Sequence, residues 1–311
     1  TAMHASGRRL PIDEVERITG LLLPNRRYSE SLLHGLLKEA VLSDLRTGDG
    51  VDIRFGYERL GDLALAQLIA ATERAGLAGQ ISPLAEHWYR NAGVLQALAS
   101  VLPEAHGVEL LDVLAISTDE YHPYAHRDFL LSLAWRRPDS VTDRTEQLLV
   151  ELWENPDTIE DVINTLLQIA TIPNHRLNAE WLHHRLSALT MTERDATWSN
   201  ICDWQDETGG QLPAMTGWAW SASSAAASDE TRQLTALTLT WALTVSHRSI
   251  RDNATKAIIA LLQPTPLLYP LLLQRFANCD DDALEERLLA VGCGVHLEAG
   301  EAQRGREELT D

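Results

Sequence analysis

The chain has 311 residues, 26 basic against 45 acidic side chains for a formal charge of −19, a hydrophobic content of 45%, and only 6% aromatic residues. That length supports about two domains or one extended repeat array, and a composition dominated by Ala and aliphatic residues favours packed helices over sheets. The acidic balance argues against bulk binding of a phosphate backbone, three scattered cysteines without a C-x-x-C pair argue against a disulfide framework or zinc ribbon, and no apolar run approaches the ~20 residues of a membrane span; the expectation is a cytoplasmic protein with no membrane partner.

The opening TAMHASGRR is basic but lacks an apolar core, so it does not read as a signal peptide, and its abrupt start suggests either an expression scar or a cut inside a longer protein. Pro11 suits the first turn of a helix through Leu23, with Asp13, Glu14 and Glu16 at its positive end, and Pro24-Asn25 ends it. Ser29 resembles an N-cap for a second helix using Leu33, Leu36, Leu37, Ala40 and Val41. After a turn at Thr47 to Gly50, Val51, Ile53 and Phe55 alternate with Asp52, Arg54 and Gly56 as in a half-buried strand. From Tyr57 the period becomes helical, through Leu60, Leu63, Ala64, Gln67 and Leu68. Residues 1–57 therefore read as a small winged-helix-like unit, and a poor DNA reader, because its second helix is short of Arg and Lys.

Residues 58–311 read as a helical-repeat domain. Ser82-Pro83 has the form of a helix start for a segment reaching about Val101. Asp157-Thr-Ile-Glu160 resembles a capping box ahead of the stripe Ile159, Val162, Ile163, Leu166, Leu167 and Ala170. Further helices are expected over 177–189, 192–204, 229–245, 249–262, 266–277 and 281–297, short enough and closely enough spaced to stack as antiparallel neighbours. Residues 208–228, with a Gly pair, Pro213 and an Ala/Ser tract, read as a surface loop with a short helix in the Ala-rich half. Trp218 and Trp220 in it are either buried against the helices or a partner-binding anchor. The fold class is then all-α: an irregular HEAT- or armadillo-like α-solenoid preceded by the winged-helix-like unit with one short strand region.

Chemistry-bearing patterns are scarce. Neither lysine, Lys38 or Lys256, follows a glycine, so no phosphate-cradling loop can form. Leu110 to Glu120 reads as a helix ending at a polar turn rather than a metal-holding strand end. His183-His184 is not part of an H-E-x-x-H pattern, and Pro123 between His122 and His126 argues against a shared helix face for a metal. Asp280-Asp281-Asp282 lacks the glycine and terminal Glu of a calcium loop and suits a helix cap. Arg26-Arg27 and Arg136-Arg137 read as solvated helix ends.

A family resemblance rests on three segments in order. Phe55-Gly-Tyr57-Glu-Arg-Leu60-Gly-Asp62-Leu-Ala-Leu65-Ala66 resembles the strand-to-helix junction closing the winged helix of bacterial STAND NTPases of the NACHT-like type. Ser246-His-Arg-Ser-Ile-Arg251-Asp252-Asn-Ala254-Thr255-Lys256-Ala257 and Asp280-Asp-Asp-Ala-Leu-Glu285-Glu-Arg287-Leu-Leu-Ala-Val-Gly-Cys-Gly294 resemble successive segments of the helical region that follows in those proteins. Ser249 and Asp252 also have the spacing of a capping box.

The resemblance implies a regulatory, ligand-sensing and protein-interaction region of a larger ATPase, of a kind that occurs in bacterial antiphage defence. ATP or ADP, Mg and oligomerisation would belong to a nucleotide-binding module outside this chain, which itself needs no cofactor and is expected to be non-catalytic. Many relatives carry a phosphate-contacting histidine on the winged helix where Tyr57 stands here; a phenol can donate one hydrogen bond but brings no positive charge near neutral pH. The expected partner is a protein or peptide on the helical surface. The competing expectation is a helical metal-dependent hydrolase using the His and Asp residues at 121–128.

Overall fold

The computed structural model describes residues 9–48 and 50–308; the basic opening segment and Asp49 of the Thr47–Gly50 turn lie outside the described residues. Contacts divide the chain into two compact units, Thr1–Ile116 and Ser117–Asp311. Helix dominates both, and the described strands form one small antiparallel sheet in the first.

In the first unit β1 (Arg9–Pro11), α1 (Ile12–Leu22), α2 (Leu32–Lys38), β2 (Leu42–Thr47) and β3 (Gly50–Phe55) make a three-stranded sheet of order β1-β3-β2 with two helices between the first two strands, the topology of a winged-helix-like unit. Leu10 pairs with Ile53 across β1 and β3, and Asp44 with Ile53 across the hairpin. The period-two pattern of β3 sends Ile53 fully inward, where it meets Leu10, Val15, Leu33 and Leu42.

Here the sequence expectation fails on one element. The apolar spacing extends the second helix through Ala40 and Val41, but α2 ends at Lys38, Ala40 adopts a left-handed φ of 55°, and Leu42–Thr47 pairs with β3. The ladder supplies the backbone partners that further helix would have supplied, so tertiary pairing overrides the local period. The cap of α2 is Ser31, whose hydroxyl accepts from the His34 amide, not Ser29.

The module edge expected at residue 57 is not where contacts divide the chain. α3 (Glu58–Ala70) packs along α5 (Trp88–His106), burying Leu65, Ala66 and Ile69 against a face containing Val94, Leu95, Leu98 and Leu102. Ser82-Pro83 does not start a helix: Pro83 sits in the last turns of α4 (Leu77–Ala85), whose Leu77 and Ile81 are buried, and the break falls at Glu86-His87. Burial of those two side chains outweighs the backbone hydrogen bond that proline cannot donate. A short α6 (Leu110–Val113) follows, within the stretch expected to be a helix ending in a polar turn.

The second unit holds α7 (Pro123–Leu133), α8 (Asp143–Glu154), α9 (Ile159–Ile169), α10 (Ala179–Ser187), α11 (Met191–Arg194), α12 (Asn200–Thr208), α13 (Gln211–Trp220), α14 (Asp229–Trp241), α15 (Arg248–Leu262), α16 (Leu268–Arg275) and α17 (Asp282–Glu308). Alternate helices touch. One layer runs α7, α9, α13, α15, α17. The other runs α8, α10, α14, α16, with Trp153 and Trp181 edge-to-face at 6.0 Å between its first two members. Such alternation is compatible with an irregular helical-repeat stack, since each pair buries one face on its neighbours.

The stripe of α9 emerges as expected, with Val162, Ile163, Leu166 and Leu167 buried. Its proposed capping box does not form; the Thr158 hydroxyl donates instead to the Leu152 carbonyl at 2.6 Å. Capping boxes form instead at Thr142 and Thr145, opening α8, and at Thr190 and Glu193, ahead of the expected start at Thr192. Between α11 and α12 the backbone widens to a π-turn over Asp195–Ser199, which turns Trp198 fully inward so that its indole N–H donates to the Trp241 carbonyl at 2.9 Å. Two further expectations are corrected. Ser249 and Asp252 form no box: His247 precedes the helix, and Asp252 accepts from Arg248 at 3.3 Å and from Arg287 of α17 at 2.9 Å. Arg136 is buried, not solvated, because its guanidinium lies over Phe129 and donates to the Ser132 hydroxyl.

Candidate functional site

The stretch expected to be a surface loop over 208–228 instead carries a helix that borders two concavities. Gln211–Trp220 is helix α13, followed by a 3₁₀ turn at Ala222–Ala226. Its helical character was hard to see because its apolar residues surround the axis rather than forming a stripe, and Gly209 at φ 75° ends α12 immediately before it.

What seats α13 is one amide. Gln205 of α12 is fully buried; its Nε2 donates to Asn164 Oδ1 of α9 at 2.7 Å, and its Oε1 accepts from the Leu212 amide at 2.8 Å. Both ends of the side chain are satisfied, which is the condition under which a buried amide fixes geometry rather than costing stability. Beside this pin α7, α9 and α12 enclose a groove of about 390 Å³ lined by Arg127, Leu131, Asp161, Asn164, Gln168 and Trp204, among others. A smaller pocket of about 150 Å³ lies where α12 and α13 meet α15, walled by Leu212, Pro213, Ile250 and Trp220, with Asp206, Thr216 and Asn253 as its polar members. Trp204 and Trp220 are 44% and 46% exposed, large apolar surfaces left in water beside concavities.

Of the sequence-based candidates, Trp220 lines this surface and Trp218 does not. The two are neighbours but one in sequence, about 200° apart on a helix, so Trp218 turns away and is half-buried. Trp204, Asp206 and Asn164 were not singled out in the sequence; they come from different helices, and no local spacing announces their convergence. Tyr57 stands just before α3, is 70% exposed, and makes no side-chain cap.

The residues at 121–128 do not assemble a metal centre. His122 Nδ1 accepts from the Ala125 amide as the cap of α7, and His126 Nε2 lies 3.1 Å from the Ser117 carbonyl. Burial, above all, holds the His126 ring below the ordinary histidine pKa, with the Ser117 contact opposing and His122 assisting. The helix begins at Pro123, with the proline in its first turn, so His122 falls outside it as the cap and no helix runs through both histidines. Among the described residues no group of three His, Cys, Asp or Glu lies close enough to hold a metal ion.

Asp206, His247 and Ser249 come near a hydrolytic triad in composition only. Ser249 Oγ is 3.1 Å from His247 Nδ1, and Asp206 Oδ2 is 3.9 Å from that same nitrogen. A proton relay needs the carboxylate and the hydroxyl on opposite ring nitrogens, so this arrangement cannot pass a proton from serine to an oriented base. No helix among the described residues is long and apolar enough to cross a membrane.

No family model matches the chain, and no curated protein does. Among solved structures, an engineered protein from the Northeast Structural Genomics Consortium is 15% identical over 76% of this chain and 96% of its own, with a TM-score of 0.26, an overlap from which neither fold nor function follows.

Proposed function

We propose that this chain is a non-catalytic, ligand-sensing and protein-interaction region of a larger STAND-type NTPase, and that the groove on α7, α9, α12 and α13 receives an extended protein segment. The observation that carries the interaction reading is the pair of half-exposed indoles, Trp204 and Trp220, each lining a concavity, with the Gln205 amide tying Asn164 of one to Leu212 of the other. Rigid aromatic surface next to a pre-formed groove is what gives an interface its anchor at low entropic cost. Support for the parent assignment is separate: the three resembling segments, the sheet order of residues 9–55, and the Asp252–Arg287 ion pair joining the second and third of those segments. In that reading ATP or ADP and Mg belong to a module outside this chain, Tyr57 is the candidate phosphate contact from the winged helix, and the role in phage defence belongs to the intact protein.

The test is selection of a random linear peptide library on the full chain, repeated with the Trp204→Ala/Trp220→Ala double variant. Binders that lose at least about tenfold in affinity on the double variant, with its helical circular dichroism unchanged, are the expected result. A library that yields no binder, or binders indifferent to both tryptophans, overturns the interaction reading.

A further inference from the structure

We propose that the small pocket beside α13 is a receptor for a single arginine or lysine side chain, and hence that the segment bound along the groove is cationic at that position. This rests on the interaction reading above and names the chemistry of its partner.

Size comes first. A pocket of about 150 Å³ matches the cavity volume that accommodates one small ring, so it takes one side chain and no more. Its walls then specify which. Leu212, Pro213 and Ile250 offer apolar surface of the kind a three- or four-carbon stem covers, which would equally accept Leu or Met. The remaining lining decides against those: Asp206 is the single charged member, and Trp220 is the single aromatic one. A carboxylate beside an indole favours a cation, through charge-assisted hydrogen bonds and cation–π attraction together. A Leu or Met there would leave the Asp206 carboxylate partly desolvated without compensation.

The competing cations are accounted for. His247 is the near one, with Nδ1 at 3.9 Å from Asp206 Oδ2, beyond hydrogen-bond distance, and the ring is more than half exposed. On α15, Arg248 reaches Asp252, and Arg251 donates to the Val245 and Ser246 carbonyls; Lys256 is exposed and not among the lining residues. Arg127 lies across the neighbouring groove, where Asp161 is also a lining residue. The formal charge of −19 adds long-range attraction for a basic segment and repulsion for an acidic one.

The experiment uses the full chain and four short peptides, acetyl-Ala-Ala-X-Ala-Ala-amide with X as arginine, lysine, citrulline or glutamate, titrated by tryptophan fluorescence and by NMR shifts. Citrulline keeps the shape of arginine and removes its charge. The arginine and lysine peptides are expected to bind about tenfold tighter than the citrulline peptide, and Asp206→Asn is expected to reduce that ratio to about twofold or less while Asp161→Asn preserves most of it. Asp206 makes no short contact whose loss would unfold the chain, so Asp206→Asn remains interpretable. Equal binding of arginine and citrulline, preference for glutamate, no binding of any peptide, or loss of the ratio with Asp161→Asn instead of Asp206→Asn each overturns the proposal. Library binders that depend on Trp204 and Trp220 but carry neither Arg nor Lys would overturn this assignment and leave the interaction reading standing.

Discussion

In the sheet of residues 9–55 each element contributes one fully committed apolar side chain to a small core: Leu10 from β1, Val15 from α1, Leu33 from α2, Leu42 from β2 and Ile53 from β3. In the helical layers after Ser117 the core also takes in rings and cations. Trp241 lies 5.0 Å from the Phe276 ring and 5.5 Å from the His183 ring, with Arg194 over its face at 5.7 Å. Arg194 in turn donates to the carbonyls of Leu189 and Asp280 and so ties chain segments far apart in sequence. The difference follows from geometry. A hairpin satisfies its own backbone, so its core needs only oil, whereas stacked helices of unequal length leave terminal carbonyls inside, and those carbonyls require donors that can reach them.

That contrast can be broken or sharpened by measurement. The largest effect is expected from Trp241→Ala, which removes a fully buried indole from the ring cluster and should cost about 3–5 kcal/mol. Hydrogen exchange should register the loss across residues 117–297; protection loss confined to residues 9–116 would refute the role given to the cluster. A smaller effect is expected from Gly56→Ala in the sheet unit. A Cβ there would collide with the Ala40 backbone carbonyl, which also neighbours the turn that feeds β2, so the backbone must yield at a cost of about 1–3 kcal/mol. Exchange should accelerate in β2 and β3 first, and an unchanged hairpin would show that the close approach is dispensable.

The smallest effect is a pH dependence. Burial is the leading cause that lowers the pKa of His126, His175 and His183 from the ordinary 6.5, and all three lie after Ser117. The unfolded chain therefore binds protons more readily than the folded one below that value. Stability from these rings is fully present above about 6.5 and falls as pH drops toward the folded values. Urea titrations at about pH 7.5 and pH 5.5, followed by the fluorescence of buried Trp198 and Trp241, should show the midpoint falling on acidification. His183→Phe, which keeps an aromatic in contact with Trp241 and Phe276, should flatten that trend, and an undiminished slope would assign it elsewhere.

Much of the helical content was legible because burial on one side writes a period into a helix that can use only one side. α9 is the clear case, with its buried stripe recoverable from Val162, Ile163, Leu166 and Leu167 alone. The strand at Gly50–Phe55 was equally legible, for its period of two. Its partner β2 was not, since LSDLRT carries no clean alternation and becomes a strand through pairing with β3. The candidate site was scarcely legible at all. Trp220 could be noticed as an aromatic, but Asp206 and Trp204 acquire meaning only beside a helix that the sequence presents as a Gly- and Ala-rich gap.

By itself, then, the sequence determined the elements whose side chains answer to one flat environment: amphipathic helices and a half-buried strand, together with the acidic net charge. Tertiary structure alone decided the rest. It fixed where β2 begins, that Pro83 lies inside a helix, that Arg136 goes inward, and that Asp252 joins two helices instead of capping one. It also brought Asp206 and Trp220 to one pocket. The physical reason is common to these: each outcome depends on a partner remote in sequence or on the opposite side of a turn, and local periodicity carries no record of such partners.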